Sequence, residues 1–346
     1  MTGGTKGRAK PRVREELLLA KGKTPKIALQ TDELPRIYLS HTVVHKRELE
    51  EEFLRCSGVR YRCFSFVYLH PQAIYFSSRA KEAFDVNVEQ GNKIMLDSGA
   101  FSFHNFVMKR KEVTDVEKLR EKTIEQYVDF CKDRQKVFDF HVTFDFIQDQ
   151  PTIWKVTKRL EEAGLHPIPV YHGDKSSDWL RKWLDNGYKR IGISNLPWRK
   201  PNYKKTRLYL DEVFRVCEPY KVKLHGFAVT SMSMAYAYPW FSVDSSSWSR
   251  TSSYGAIYAL DIERGSMTAQ HVSLTGGLKA STRSITELSS AALKSLKQQV
   301  ENDGWDFDLL RRSLQYRFIY NGHTFAHLNQ WKAALKDRHT KWGNVL

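Results

Sequence analysis

Between positions 36 and 260, short apolar runs and amphipathic segments take turns, and this alternation constrains the fold more than any other feature. The runs are RIYLSHTVV (36–44), CFSFVYL (63–69), KIMLD (93–97), FDFHVTFD (138–145) and HPIPVYHG (166–173). They continue with YKRIGISNL (188–196), KVKLHGFAVT (221–230), WFSVDSSSW (240–248) and GAIYAL (255–260). Helical patterns separate them at 46–56, 115–134, 151–164 (closed by Gly164), 177–186, 206–217 and 231–238. Strands alternating with crossover helices predict a parallel sheet. Eight strands remain when one near the start is set aside, and eight such units over about 225 residues fit a (β/α)8 TIM-like barrel. A doubly wound open sheet is the alternative, but neither GxGxxG nor GxxxxGK[ST] occurs.

The expected organisation is a basic mobile arm over 1–35, a catalytic barrel over 36–265 and a basic helical extension over 266–346. In the extension, 288–301 and 309–336 read as helices with Tyr316, Phe318, Tyr320 and Trp331 interleaved among Lys and Arg. A formal charge of +16 over 346 residues predicts a polyanionic partner, with nucleic acid the default. The basic residues are spread along the chain rather than gathered on one amphipathic helix, which disfavours a lipid surface. No run of about 18 apolar residues is present, so no membrane span is expected. The N-terminus is basic without the apolar segment of a secretory signal. Cys56, Cys63, Cys131 and Cys217 form no CxxC and no metal-ligand spacing, which points to a reducing cytoplasm and argues against a zinc ribbon or disulfide framework, so no metal site is expected.

Polar residues recur where the apolar runs end: Asp97, Asp145, His172, Asn195, His225 and Asp244. An acid at the end of an inner strand is costly to bury unless it is paired or hydrogen-bonded. In a barrel all these positions converge on the face where active sites lie. Two convergent carboxylates suit glycosidic chemistry, one attacking or stabilising the anomeric carbon and the other moving the proton. Taken one at a time, each residue also has a structural reading: Asp145 as a helix cap or arginine partner, His172 and His225 as satisfied core histidines.

LDSGAF (96–101), VTFD, PVYHG, KLHGFAVT and FSVDSSSW together resemble the tRNA-guanine transglycosylase superfamily. They are most similar to its phage-type DpdA-like branch, the 7-deazaguanine DNA transglycosylases, over about 93–260. The resemblance implies a barrel that exchanges guanine in a polynucleotide for a 7-deazaguanine base such as preQ0. By position it implies Asp244 as nucleophile, Asp97 as general acid and base, and Phe101 as the aromatic that stacks on the base. It also implies Asp145 at the base edge, and Ser98 of the DSGAF stretch among the substrate-binding residues. His172 stands where the tRNA enzymes have a glutamine, Ser194 and Asn195 where they have a glycine pair, and His225 and Gly226 near the far side of the ring.

The chain departs from the tRNA enzymes in having no cysteine after Asp244, so their zinc motif is missing and tRNA is the weaker reading. Lys109, Arg110 and Lys111, and Arg199, Lys200, Lys204 and Lys205, follow strand ends on the expected active face and are expected to hold the DNA backbone, with Arg250 as a further nucleic-acid contact. Trp248 is expected at the nucleic acid as well, supplying stacking surface with Tyr171 and Phe227 beside Phe101. The target base must be flipped out of a duplex or lie in a single strand. A retaining double displacement calls for carboxylates roughly 5 Å apart and for a raised Asp97 pKa, and needs no cofactor. Two further readings are the same chemistry on tRNA and a non-catalytic nucleic-acid-binding barrel. The expected location is the cytoplasm, that of the host cell for a phage-encoded chain, and a partner protein is left open.

Overall fold

The computed structural model describes residues 29–30, 32, 34–41, 54, 56–109, 115–147, 149–173, 176–194, 203–229, 232–261, 266–274 and 283–327. The expected basic arm, the end of the expected extension, and Arg110, Lys111, Asn195, Arg199 and Lys200 lie outside them, apart from a few residues at the arm's edge.

Eight parallel strands form the larger unit: β1 (Arg36–Ser40), β2 (Tyr61–Ser65), β3 (Lys93–Asp97), β4 (Phe138–His141), β5 (Val170–Tyr171), β6 (Arg190–Ile193), β7 (Lys223–Gly226) and β8 (Ser242–Ser245). Their order is β4-β3-β2-β1-β8-β7-β6-β5. A single parallel bridge, Val142 to Ile168, joins the two outer strands and curls the sheet into a TIM-like barrel. At that seam the Thr143 N–H donates to the Ile168 carbonyl (2.9 Å) and the Ile168 N–H to the His141 carbonyl (2.9 Å).

Helices cross between the strands: α1 (Phe66–Leu69), α2 (Ser78–Glu89), α3 (Ala100–Lys109), α4 (Val116–Arg134), α5 (Gln150–Glu162), α6 (Asp178–Asp185), α7 (Tyr203–Cys217) and α8 (Met232–Ala237). The last five fall where the periodicity predicts, whereas α1 takes up the end of the run read as strand at 63–69, and α2 and α3 were not expected. Several start on side-chain caps. Ser77, Asp115 and Asp149 each accept from the backbone N–H three residues on, satisfying donors that a helix start leaves open.

Two apolar layers follow from the two-residue period of the strands. Phe64, Ile94, Leu96 and Phe144 face outward into a core shared with Phe84, Tyr127 and Leu160 of the helices. Tyr38, Tyr61, Cys63, Met95, Phe140, Val142, Ile168 and Val170 fill the interior. Positions two further along the strands also face inward, and there sit Ser40, Ser65, Asp97 and His172. The strand period itself carries those polar groups to the barrel mouth.

Two expectations need correcting. The run at 36–44 supplies β1, a full barrel strand between β2 and β8, whereas GAIYAL contributes no barrel strand. It forms β9 (Ala256–Asp261) of a separate three-stranded sheet with β10 (Ser266–His271) and β11 (Arg283–Ser284). An apolar run of this length reads the same in either sheet; what sets β9 apart is its antiparallel partner β10, whose SMTAQH sequence is too polar to announce a strand. This second unit carries the helices α9 (Ser290–Asn302), α10 (Phe307–Arg312) and α11 (Leu314–Ala326), so the C-terminal part is helical as expected. Asn321 organises it, its amide donating to the Ala256 carbonyl (2.9 Å) and its oxygen accepting from the Tyr258 N–H (2.9 Å).

Candidate active site

Three carboxylates stand at the carboxyl end of the barrel, each held differently. Asp145 is buried, with one oxygen accepting from the Ser98 hydroxyl (2.7 Å) and the other 2.7 Å from His172 Nε2. His172 is fully buried, and its Nδ1 has no hydrogen-bond partner among the described residues. Ser98 also accepts from the Ala100 N–H (3.2 Å), so one hydroxyl ties Asp145 to the start of α3.

Asp244, on β8, is 9% exposed. Its Oδ2 accepts from the Ser40 hydroxyl (2.8 Å) and its Oδ1 from the Ala228 N–H (3.0 Å). His225 Nε2 lies 3.4 Å from the same Oδ1, while His225 Nδ1 is 2.8 Å from the Ser242 hydroxyl. The Ala228 N–H is aimed by a left-handed backbone (φ 50°), an uncommon conformation for a residue with a side chain. The carboxylate thus keeps a fixed orientation and sufficient exposure to reach a substrate.

Asp97 has no histidine partner among the described residues. Its Oδ2 accepts from the Gly99 N–H (3.0 Å). Burial and then the charges of Asp145 and Asp244 push its carboxyl up to about 7, with Ser65 and the Gly99 N–H pulling the other way. The site therefore holds two carboxylates with basic or hydroxyl partners and a third whose acid form survives near neutral pH.

Phe101, the second residue of α3, is 56% exposed, an unusual state for a phenyl ring. Phe227 is half-buried, edge-on to His225 with ring centroids 4.7 Å apart. Gly192 makes room for it: a Cβ there would sit 2.4 Å from the Phe227 ring. Gly226 serves packing, since a Cβ on it would meet Val229 at 2.7 Å and Trp240 at 3.1 Å. The Ser194 carbonyl accepts from the Tyr209 hydroxyl (3.1 Å), which fixes the start of the segment after β6.

The expected nucleic-acid contacts divide. Lys204 and Lys205 are exposed on α7. Lys109 ends α3. Arg250 is exposed and belongs to the smaller unit. Trp248 needs correction: it is fully buried, its indole N–H directed at the Ser40 carbonyl (3.4 Å), so it has no face to offer a nucleotide. Tyr171 is likewise wholly buried.

Sequence reasoning did not find Ser40, Ser65 or the Ala228 N–H. The signal was present for the serines, because both end a strand as Asp97 does, but a small hydroxyl at such a place is common. Among the described residues no group of three or more His, Cys, Asp or Glu side chains is arranged to hold a metal. None of the described helices is long and apolar enough to cross a membrane.

No family model and no curated protein matches the chain. A solved structure titled as a mandelate racemase/muconate lactonizing protein from Herpetosiphon aurantiacus is similar at 8% identity and a TM-score of 0.40. The match covers 61% of this chain and spans about half, 55%, of that one.

Proposed function

We propose that the chain is a base-exchange glycosyltransferase that replaces guanine in DNA with a 7-deazaguanine such as preQ0. The observation that carries this reading is the division of labour among the carboxylates: Asp244 oriented by Ser40 and Ala228, and Asp97 holding a proton close to neutrality. Asp244 attacks C1′ of the target nucleotide. The bond from C1′ to guanine breaks as an Asp244–C1′ ester forms, and Asp97 in its acid form gives its proton to the departing base. Asp97, now a carboxylate, takes the proton from the glycosidic nitrogen of the incoming 7-deazaguanine. That nitrogen displaces Asp244 from C1′, so two inversions give net retention.

Asp145, fixed by Ser98 and His172, accepts from the donor edge of either base in turn, and Phe101 stacks on its ring. The +16 charge favours a polyanionic substrate over a free sugar. The base reaches the pocket flipped out or from a single strand.

Exchange of radiolabelled guanine into DNA and, separately, into tRNA tests the proposal, with Asp244→Ala as the blank. Label entering DNA and lost in the variant supports it. Label entering tRNA alone moves the chemistry to that polymer. No label in either polymer removes Asp244 from the role of nucleophile.

A further inference from the structure

The opposite end of the barrel, where the strands begin, collects cations. Arg36 and Lys93 open β1 and β3, Arg190 and Lys223 open β6 and β7, and Lys189 precedes Arg190. Three of them crowd one ring: Arg36, Lys223 and Arg190 lie 4.8, 4.9 and 5.0 Å from the centroid of Phe241. The ring face attracts each cation, but like charges so close repel one another. The nearby carboxylate Asp139 is shared, accepting from the Tyr38 hydroxyl and standing 3.9 Å from Arg36.

Beside this cluster, between the starts of β4, β5 and β6, is a cavity of about 430 Å³. Phe138, Phe140 and Tyr188 give it aromatic walls, and Lys189 and Arg190, with Asp139 of opposite sign, line it with charge. His141 also lines it; that side chain is 5% exposed, and its Nε2 has no hydrogen-bond partner among the described residues. Burial, with the neighbouring His166 charge, lowers the His141 pKa to about 4, so the imidazole is neutral at pH 7. A buried polar nitrogen without a partner is costly, and that cost is relieved by a ligand with a complementary group.

We propose that this cavity is a second ligand site, distinct from the carboxylate site, for an organic phosphate with a flat ring, of nucleoside-monophosphate size. The phosphate meets Lys189 and Arg190, the ring lies against Tyr188 and Phe138, and His141 Nε2 bonds a polar atom of the ring. The volume lies in the range of small-molecule sites.

Adenosine 5′-monophosphate is the probe, because its base lacks the 2-amino edge that the guanine reading assigns to Asp145. Titration calorimetry of the full chain is compared with Lys189→Gln, His141→Phe and Asp145→Asn, each checked for folding by circular dichroism. Binding is expected to weaken at least about tenfold in Lys189→Gln and in His141→Phe, and to be unchanged in Asp145→Asn. Inorganic phosphate is expected to bind at least about tenfold more weakly than the nucleotide. Binding lost in Asp145→Asn but kept in the other two would place the nucleotide at the carboxylate site and overturn the proposal. Equal affinity for inorganic phosphate would overturn the ring contacts, and absence of heat at millimolar nucleotide would overturn the site. None of these outcomes depends on base exchange.

Discussion

Asp97 sits in an environment that opposes its charge, and this has a stability consequence with a definite sign. Its carboxyl is raised from the ordinary 3.8 to about 7, so between those values the folded chain keeps a proton that the unfolded chain releases. Stability is therefore complete below pH 4 and is lost progressively as the pH rises to about 7. Asp97→Asn cannot ionise and escapes the loss. Thermal melts are expected to show no gap between variant and parent at pH 4, and above pH 7 a gap in favour of the variant of up to about 4 kcal/mol. Phe101 behaves in the opposite way, contributing little to the fold because its ring is mostly in solvent. Phe101→Ala is expected to leave stability within about 0.5 kcal/mol. Under the proposed function the same change raises the KM for the incoming base by about tenfold, as the loss of one stacking contact worth about 1–3 kcal/mol implies. Denaturant melts and steady-state exchange kinetics check the two halves separately.

At the scale of elements, the turn from β3 into α3 shows how tightly the site is built into the fold. Gly99 has φ 82°, and a Cβ there would stand 2.6 Å from the Val67 methyls and 2.8 Å from the Ser65 hydroxyl. Gly99→Ala is expected to cost about 2–4 kcal/mol in chemical denaturation, adding backbone strain to overpacking. This turn was legible in the sequence, because DSGAF joins an acid at a strand end to a glycine that permits the left-handed bend. Helix α3 itself was harder to see: AFSFHNFVMK carries apolar residues at so many positions that no polar stripe stands out. The alternation that announced the barrel was equally legible, but it could not say which of nine similar runs belonged to it. Hydrogen-bond pairing decides that question, and pairing depends on partners far along the chain. For the same reason the sequence could point to Asp244 and not to Ser40, which lies 204 positions away and touches it only once β1 has paired with β8.

For the whole molecule, the net charge of +16 sets an expectation independent of any single residue. Binding to single-stranded DNA is expected to weaken linearly on a log–log plot against salt, by about 0.7 per phosphate contacted, with a slope of about −2 or steeper if three or more phosphates are engaged. Fluorescence anisotropy over a salt series measures it, and a flat line would argue against a polyanionic substrate. The uneven stitching of the barrel has an effect of its own. Seven strand junctions are ladders or pairs within one sheet, whereas β4 and β5 meet through one bridge made of two amide bonds, three positions before Asp145. Local opening follows the weakest cooperative region of a structure. In deuterated solvent the amide protons of Thr143 and Ile168 are therefore expected to be replaced sooner than those of Met95 and Leu96 in β3. The strand that presents Asp145 then breathes along a predetermined line, giving the wall of the pocket a compliance that its floor does not share.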